Sequence, residues 1–248
     1  MAERRFAHVD LGQMLYSVVA MKSEGQLLRP VIYGTAFCVG PGMFVTAGHV
    51  LSMIADDGGK VALSHLDEDR GLLASMALQT EIIAGSDVGI IAAKAEGVAL
   101  LDWAEEPRSI LSDVSAIGFP YAITSQENPA SFKVTMRGFK GNVITRTKIW
   151  KLPAQPVGYE VSCPFPKGLS GAPLLDATPP VPDLKVIGMV LEATRFGLAL
   201  DVIELRAVAS PKIIGGTLNE LRKAVLTGDQ FRFAVDRPFL NWDRRKRA

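Results

Sequence analysis

Gly168-Leu169-Ser170-Gly171-Ala172-Pro173 places a serine on a glycine-flanked turn, and Thr46-Ala47-Gly48-His49-Val50, far upstream, places a histidine at the end of an apolar segment. A serine hydroxyl is a weak nucleophile until a neighbouring imidazole removes its proton. That imidazole in turn needs a buried carboxylate to fix its tautomer and stabilise its charged form. Fold and chemistry therefore both turn on which acid joins the pair, and in what chain order.

Histidine is the scarce ingredient. His8, His49 and His65 all precede Ser170, which excludes the Ser, acid, His order of α/β-hydrolases. Gly168 to Ala172 also lacks the second outer glycine of a Gly-x-Ser-x-Gly elbow. The subtilisin order requires an acid before the histidine, and Asp10, the only aspartate upstream of His49, has no context that supports that role. The order that remains is His, Asp, Ser. Between the two turns, Asp67-Glu68-Asp69-Arg70 reads as a solvated loop. Asp87, in Ser86-Asp87-Val88-Gly89-Ile90-Ile91, precedes an apolar strand and is the better candidate for a buried acid. Each fragment alone has a plainer reading: a Gly-x-Ser-Gly turn is usually only a turn, an Ala-Gly-His is usually a strand end, and an aspartate before a strand usually caps a turn. Order, spacing and flanking strands together outweigh those readings. His8 and His65 lie outside any motif and read as N-terminal or surface histidines.

Short segments rich in β-branched and apolar residues recur between glycine and proline signals. They are Tyr33 to Val39, Met43 to Ala47, Val88 to Ala93, Val114 to Gly118, Lys133 to Met136, Val143 to Arg146, Tyr159 to Cys163, Ala172 to Leu175, Lys185 to Leu191 and Gly197 to Leu200. This spacing predicts an all-β sandwich or barrel. Asp102 to Arg108, with Pro107 and clustered charge, reads as a link between two halves. Asp176 to Asp183 reads as an exposed connection. Helix is predicted near the end, where Asp201-Val202-Ile203-Glu204 and Thr217-Leu218-Asn219-Glu220 have the form of capping boxes, with Gly228 as a stop for the second. The basic run Arg244-Arg245-Lys246-Arg247 reads as a solvated tail.

Thr46-Ala47-Gly48-His49-Val50 resembles the Thr-Ala-Ala-His signature of the trypsin and chymotrypsin superfamily, and Gly34-Thr35-Ala36-Phe37-Cys38-Val39 resembles the strand that precedes it. Ser86-Asp87-Val88-Gly89-Ile90-Ile91 is similar to the family's Asp-Ile-Ala-Leu-Leu segment, and Gly168 to Leu175 to its Gly-Asp-Ser-Gly-Gly-Pro segment. The resemblance covers roughly residues 30 to 205 and is nearer to bacterial, disulfide-poor trypsin-like peptidases, the high-temperature-requirement type among them, than to digestive enzymes. It implies two antiparallel β-barrels with a short C-terminal helical segment. Residues 1–105 would form an N-terminal segment and the first barrel carrying histidine and aspartate, 106–210 the second barrel carrying serine, and 211–248 the C-terminal helix and basic tail.

Carried over residue by residue, the resemblance makes His49 general base and acid, Asp87 its orienting carboxylate and Ser170 the acyl-forming nucleophile of a serine endopeptidase. The backbone N–H groups of Gly168 and Ser170 would form the oxyanion hole. Cys163, Pro164, Lys167, Leu191, Glu192, Ala193 and Gly197 would border the primary specificity pocket. Two departures from the family matter. Leu169 stands where digestive enzymes keep the aspartate of their zymogen switch, so the oxyanion hole is expected to be preformed or ordered by a partner protein. Pro164 stands where trypsin-like specificity uses an aspartate, so a small or apolar residue before the scissile bond is expected rather than Arg or Lys. A noncatalytic protease-fold protein that binds a partner through its cleft, and a serine esterase, are the alternative readings.

Composition narrows the partners. With 27 Lys and Arg against 26 Asp and Glu, the net charge of +1 supplies no global field to recruit nucleic acid or an anionic membrane. Protein or peptide substrates, and a protein activator or regulator, are the expected partners. The first thirty residues contain no uninterrupted apolar run of secretory type, and only Cys38 and Cys163 occur, which fits a cytoplasmic protein with free thiols. No His or Cys spacing of a metal site is present, and the proposed chemistry requires no cofactor.

Overall fold

The computed structural model describes residues 14–24, 27–67, 71–94, 100–120, 123–124, 132–133, 135–178, 184–193 and 196–227. The first six strands are β1 (Leu15–Glu24), β2 (Leu27–Gly40), β3 (Met43–Ala47), β4 (Lys60–Asp67), β5 (Gly71–Ile83) and β6 (Val88–Ala93). They close into an antiparallel barrel in the order β1-β2-β3-β6-β5-β4. A helix, α1 (Gly48–Asp56), follows β3 directly.

After the connecting segment come β7 (Asp113–Gly118), the two-residue strands β8 (Ile123–Thr124) and β9 (Phe132–Lys133), then β10 (Arg137–Lys148), β11 (Val157–Val161), β12 (Pro173–Asp176), β13 (Val186–Ala193) and β14 (Gly197–Asp201). Among the described residues β8 pairs only with β9, and the other six close a second barrel in the order β7-β10-β11-β14-β13-β12. Numbered within each barrel, the two share one permutation: first, second, third, sixth, fifth, fourth. The chain thus repeats a topology whose repeat is not apparent in the residues.

Burial explains which strands the amino-acid pattern reveals. β3 and β6 are apolar and buried along their whole length, as β-branched runs covered on both faces should be, while β7 alternates buried and half-buried residues. The expected strand Lys133 to Met136 is not one element: Lys133 ends β9 and β10 begins at Arg137. His65, expected at the surface, lies half-buried on β4 with its ring edge-on to Tyr16 at 4.9 Å between centroids. Asp176, expected in an exposed loop, ends β12, where it is 7% exposed and accepts the Arg108 Nε–H at 2.7 Å.

The chain closes with α2 (Val202–Ala207), β15 (Ala209–Ser210), β16 (Gly216–Thr217) and α3 (Leu218–Thr227). Both expected helices form. Asp201 caps α2 by accepting the Ile203 N–H at 2.7 Å. Thr217 and Glu220 make a reciprocal capping box at α3, with Glu220 N–H on Thr217 Oγ1 at 3.2 Å and Thr217 N–H on Glu220 Oε2 at 2.7 Å. Gly228 and the basic run 244–247 lie outside the described residues. This terminal segment packs back onto the first barrel. Buried Leu221 meets Gly40, the Arg222 guanidinium lies 5.3 Å from the Trp103 ring centroid, and Ser210 Oγ donates to buried Glu81 at 2.6 Å.

Candidate active site

α1 has no cap from its own sequence: Ala47 offers no side-chain acceptor to the first turn. The orphan donors are satisfied from elsewhere in the chain. Gly48 N–H donates to the Asp87 backbone carbonyl at 2.8 Å, and His49 N–H donates to Asp87 Oδ1 at 2.7 Å. The other carboxylate oxygen, Oδ2, lies 2.8 Å from His49 Nδ1. One aspartate therefore caps the helix and holds the imidazole that the helix carries. Its negative charge sits at the positive end of the helix, a favourable place for an anion. Asp87 adopts a left-handed backbone at φ 53°, a conformation that aspartate tolerates better than most side chains.

The serine turn is built against the same region. Leu169 is fully buried in the core of the second barrel, so the place of the family's activation aspartate is filled by hydrocarbon. Gly171 N–H donates to Val190 O at 2.7 Å and Val190 N–H to Ala172 O at 2.8 Å, fixing the turn to β13. Gly171 has φ 85°, and a Cβ there would lie 2.8 Å from Ala47 N and still closer to Thr46 Oγ1 and Thr35 O. Only glycine admits that backbone and that approach. The Ser170 turn consequently abuts the residues that lead into His49.

Thr35, on β2, joins the two barrels at this seam. Its N–H donates to Ser170 O at 2.8 Å, and its own carbonyl accepts Thr46 Oγ1–H at 2.8 Å. Its hydroxyl donates to Gly168 O at 2.8 Å and accepts Phe119 N–H at 3.0 Å. Thr35 is wholly buried. Gly168 has φ 91°. Among the described residues, neither Gly168 N–H nor Ser170 N–H donates to a protein acceptor.

Of the residues expected around the primary pocket, Cys163 and Gly197 are joined by the Gly197 N–H to Cys163 O hydrogen bond at 3.0 Å, and Ala193 pairs with Gly197 in the β13–β14 register. Leu191 is buried on β13, while Pro164 and Lys167 are exposed in the segment between β11 and the serine turn. Phe165, not singled out by the motif reading, is 2% exposed, and a Cβ on Gly197 would lie 2.6 Å from its ring carbon Cδ2. Cys163 is half-buried and Cys38 fully buried; both are free thiols, and burial pushes the Cys38 thiol up to about 12.

Glu192 projects elsewhere, into an open cleft of about 460 Å³ lined by His49, Ser52, Ile82, Asp87 and Leu152 along with Glu192 itself. The cleft is bounded by a loop of the second barrel that reaches the first: Ala154 N–H donates to Gly85 O at 3.1 Å. Lys151, on the same loop, forms an ion pair with Glu192. Burial lowers the Lys151 pKa, opposed by the negative charge of Asp87. Neither Thr35 nor Lys151 bears a local signal, because the role of each is set by partners distant in the chain.

Among the described residues, no helix is long and apolar enough to cross a membrane. A search of characterised proteins by sequence gives no match. Solved structures share the fold. Deg5 aligns with a TM-score of 0.60 at 18% identity over 83% of this chain and 91% of its own. The active form of the Rv3671c protease from M. tuberculosis aligns at 0.56 and 20% identity over 78% of each chain. The MamO protease domain from Magnetospirillum magneticum aligns at 0.55 and 16% identity over 78% of this chain and 94% of its own. The two barrels are those of a chymotrypsin-like fold, and the family model of the trypsin-like peptidase domain matches residues 34–189. With its paired barrels, and with histidine, aspartate and serine turns meeting at their seam, the chain belongs to the trypsin-like peptidase family of chymotrypsin-fold serine proteases.

Proposed function

We propose that the chain is a serine endopeptidase that cleaves peptide bonds through His49, Asp87 and Ser170. The observation that carries this reading is the double grip of Asp87 on His49, at the backbone N–H and at Nδ1. Holding Nδ1 as the donor leaves Nε2 as the basic nitrogen, and the close approach of Gly171 to Ala47, two residues before His49, supports Ser170 as its partner.

Ser170 Oγ attacks the substrate carbonyl as His49 takes its proton, and His49 then protonates the leaving amine. Water hydrolyses the acyl-enzyme by the reverse proton route. The Gly168 and Ser170 N–H groups, which no protein acceptor occupies among the described residues, support a preformed oxyanion hole. Each such donor is worth about 100-fold to 1000-fold in turnover. Phe165 packed on Gly197 supports a shallow primary pocket suited to a small or apolar side chain. The free thiols support a reducing, cytoplasmic setting, with specific intracellular proteins as substrates.

A fluorophosphonate probe, applied to the full chain and to Ser170→Ala, tests the reading. Labelling of the first and not the second is the expected result. Absence of Ser170-dependent labelling, with cellular extract added as a source of activators, refutes it. A protein-substrate library then separates peptide-bond cleavage from esterase action.

A further inference from the structure

The cleft beside His49 has a charge pattern that bond-breaking does not require. Among the described residues, its lining carries two carboxylates, Asp87 and Glu192, and no lysine or arginine. Asp87 is committed to His49 and to the first turn of α1. Among the described residues, Glu192 is committed only to Lys151, and both side chains of that pair are about half exposed, at 46% and 47%. An ion pair so exposed contributes little to stability, so an incoming cation can replace Lys151 at little cost.

The surrounding strands indicate which cation can arrive. Among the described residues, β13 pairs with β12 only through Val186 to Met189, whereas on its other side it pairs with β14 as far as Ala193. The edge of Leu191 to Ala193 that faces away from β14 is therefore open to an added strand. The serine turn abuts this edge at Val190, through the hydrogen bonds to Gly171 and Ala172. A polypeptide pairing antiparallel to β13, as β12 and β14 do, with its scissile carbonyl at Ser170, runs its preceding residues along Leu191, Glu192 and Ala193. Alternate side chains of that extended stretch then face the cleft.

We propose that Glu192 selects an arginine or lysine side chain on the stretch of substrate preceding the scissile bond, with Lys151 as the internal cation that the substrate displaces. The inference rests on the endopeptidase reading for the direction of the bound chain. It is separate from the proposed primary pocket, where Phe165 packs on Gly197. The substrate class is thus a polypeptide with a small or apolar residue at the cut and a basic residue shortly before it.

The test measures binding rather than turnover, so that it survives any failure of catalysis. Fluorescein-labelled peptides with valine at the cut and alanine elsewhere are titrated into the full-length Ser170→Ala chain. Alanine, arginine or glutamate is placed in turn at each of the preceding positions. At one or more positions, arginine is expected to bind about tenfold more tightly than alanine, and glutamate more weakly. The preference should disappear in Glu192→Gln, invert toward glutamate in Glu192→Lys, grow severalfold in Lys151→Ala and shrink as salt is raised. Equal affinity for all three peptides, no binding of any, or an arginine preference that persists in Glu192→Gln overturns the proposal. Probe labelling of the unmodified chain judges the endopeptidase reading on its own.

Discussion

Asp87 holds His49 at two points, taking its backbone N–H on Oδ1 at 2.7 Å and facing its Nδ1 with Oδ2 at 2.8 Å. The capping role and the proposed catalytic role thus meet in one carboxylate, and substitution separates them. Asn at position 87 retains an oxygen for the helix N–H but presents the wrong partner to the imidazole. Asp87→Asn is expected to lower kcat about 10⁴-fold with little change in Tm. Asp87→Ala should match that loss and cost about 0.5–2 kcal/mol of stability besides. Parallel kinetics and thermal melts check both, and equal stability of the two variants would exclude the capping role.

Thr35 connects the Ser170 carbonyl, the Gly168 carbonyl and the Thr46 hydroxyl across the seam. Thr35→Val keeps the shape but removes the hydroxyl, freeing Gly168 O and orphaning Phe119 N–H. A small displacement of the serine turn is expected to reduce kcat about 10-fold to 100-fold, with KM nearly unchanged. Thr35→Ser, which retains Oγ, should restore most of the rate. A loss confined to KM would show that Thr35 acts on substrate binding instead.

Phe165 packs against Gly197, and the proposed primary pocket takes its depth from that contact. Phe165→Ala is expected to raise kcat/KM for peptides with Phe or Leu at the cut, relative to Ala, by about 10-fold to 100-fold. An unchanged profile in a folded variant would place the pocket floor elsewhere.

Burial alone would push the Asp176 carboxyl up, but hydrogen bonds from Thr178 and Arg108 outweigh it, and its pKa falls below the ordinary 3.8. A group depressed in the folded state contributes stability that is present above its unfolded pKa and is lost as pH falls through the folded value. Asp176→Asn is therefore expected to be about 1–3 kcal/mol less stable at pH 7. The gap in Tm between it and the unmodified chain should narrow as pH drops from about 4 to 2. A gap independent of pH would assign the loss to packing.

The legible parts of this molecule are those whose determinants are local. β3, β6 and the capping box of α3 are written in contiguous residues, and the order of His49, Asp87 and Ser170 survives as chain order. α1 was not legible because its cap, Asp87, arrives from a distant turn and Ala47 gives no starting signal. β5 was hidden by an outward display of apolar residues: Met76, Leu78 and Ile82 are 44%, 51% and 41% exposed. β1 pairs along both edges, with β2 and β4, and so depends on partners more than on its own punctuation. Within the candidate site, Phe165 lies inside the stretch expected to border the pocket, but its packing on Gly197 and the Lys151 ion pair are properties of contact that no local signal announces.

The glycine at 171 has a wider consequence. Where its missing Cβ would stand are atoms of Thr35, Thr46 and Ala47, so the nucleophile's turn is cast against a mould supplied by the other barrel. Two intact barrels that part at this joint, even with every residue correctly folded, would carry the reagents of the reaction without its alignment. In the proposed reaction, alignment belongs to the joint, and whatever opens or closes it acts on Ser170 without touching it.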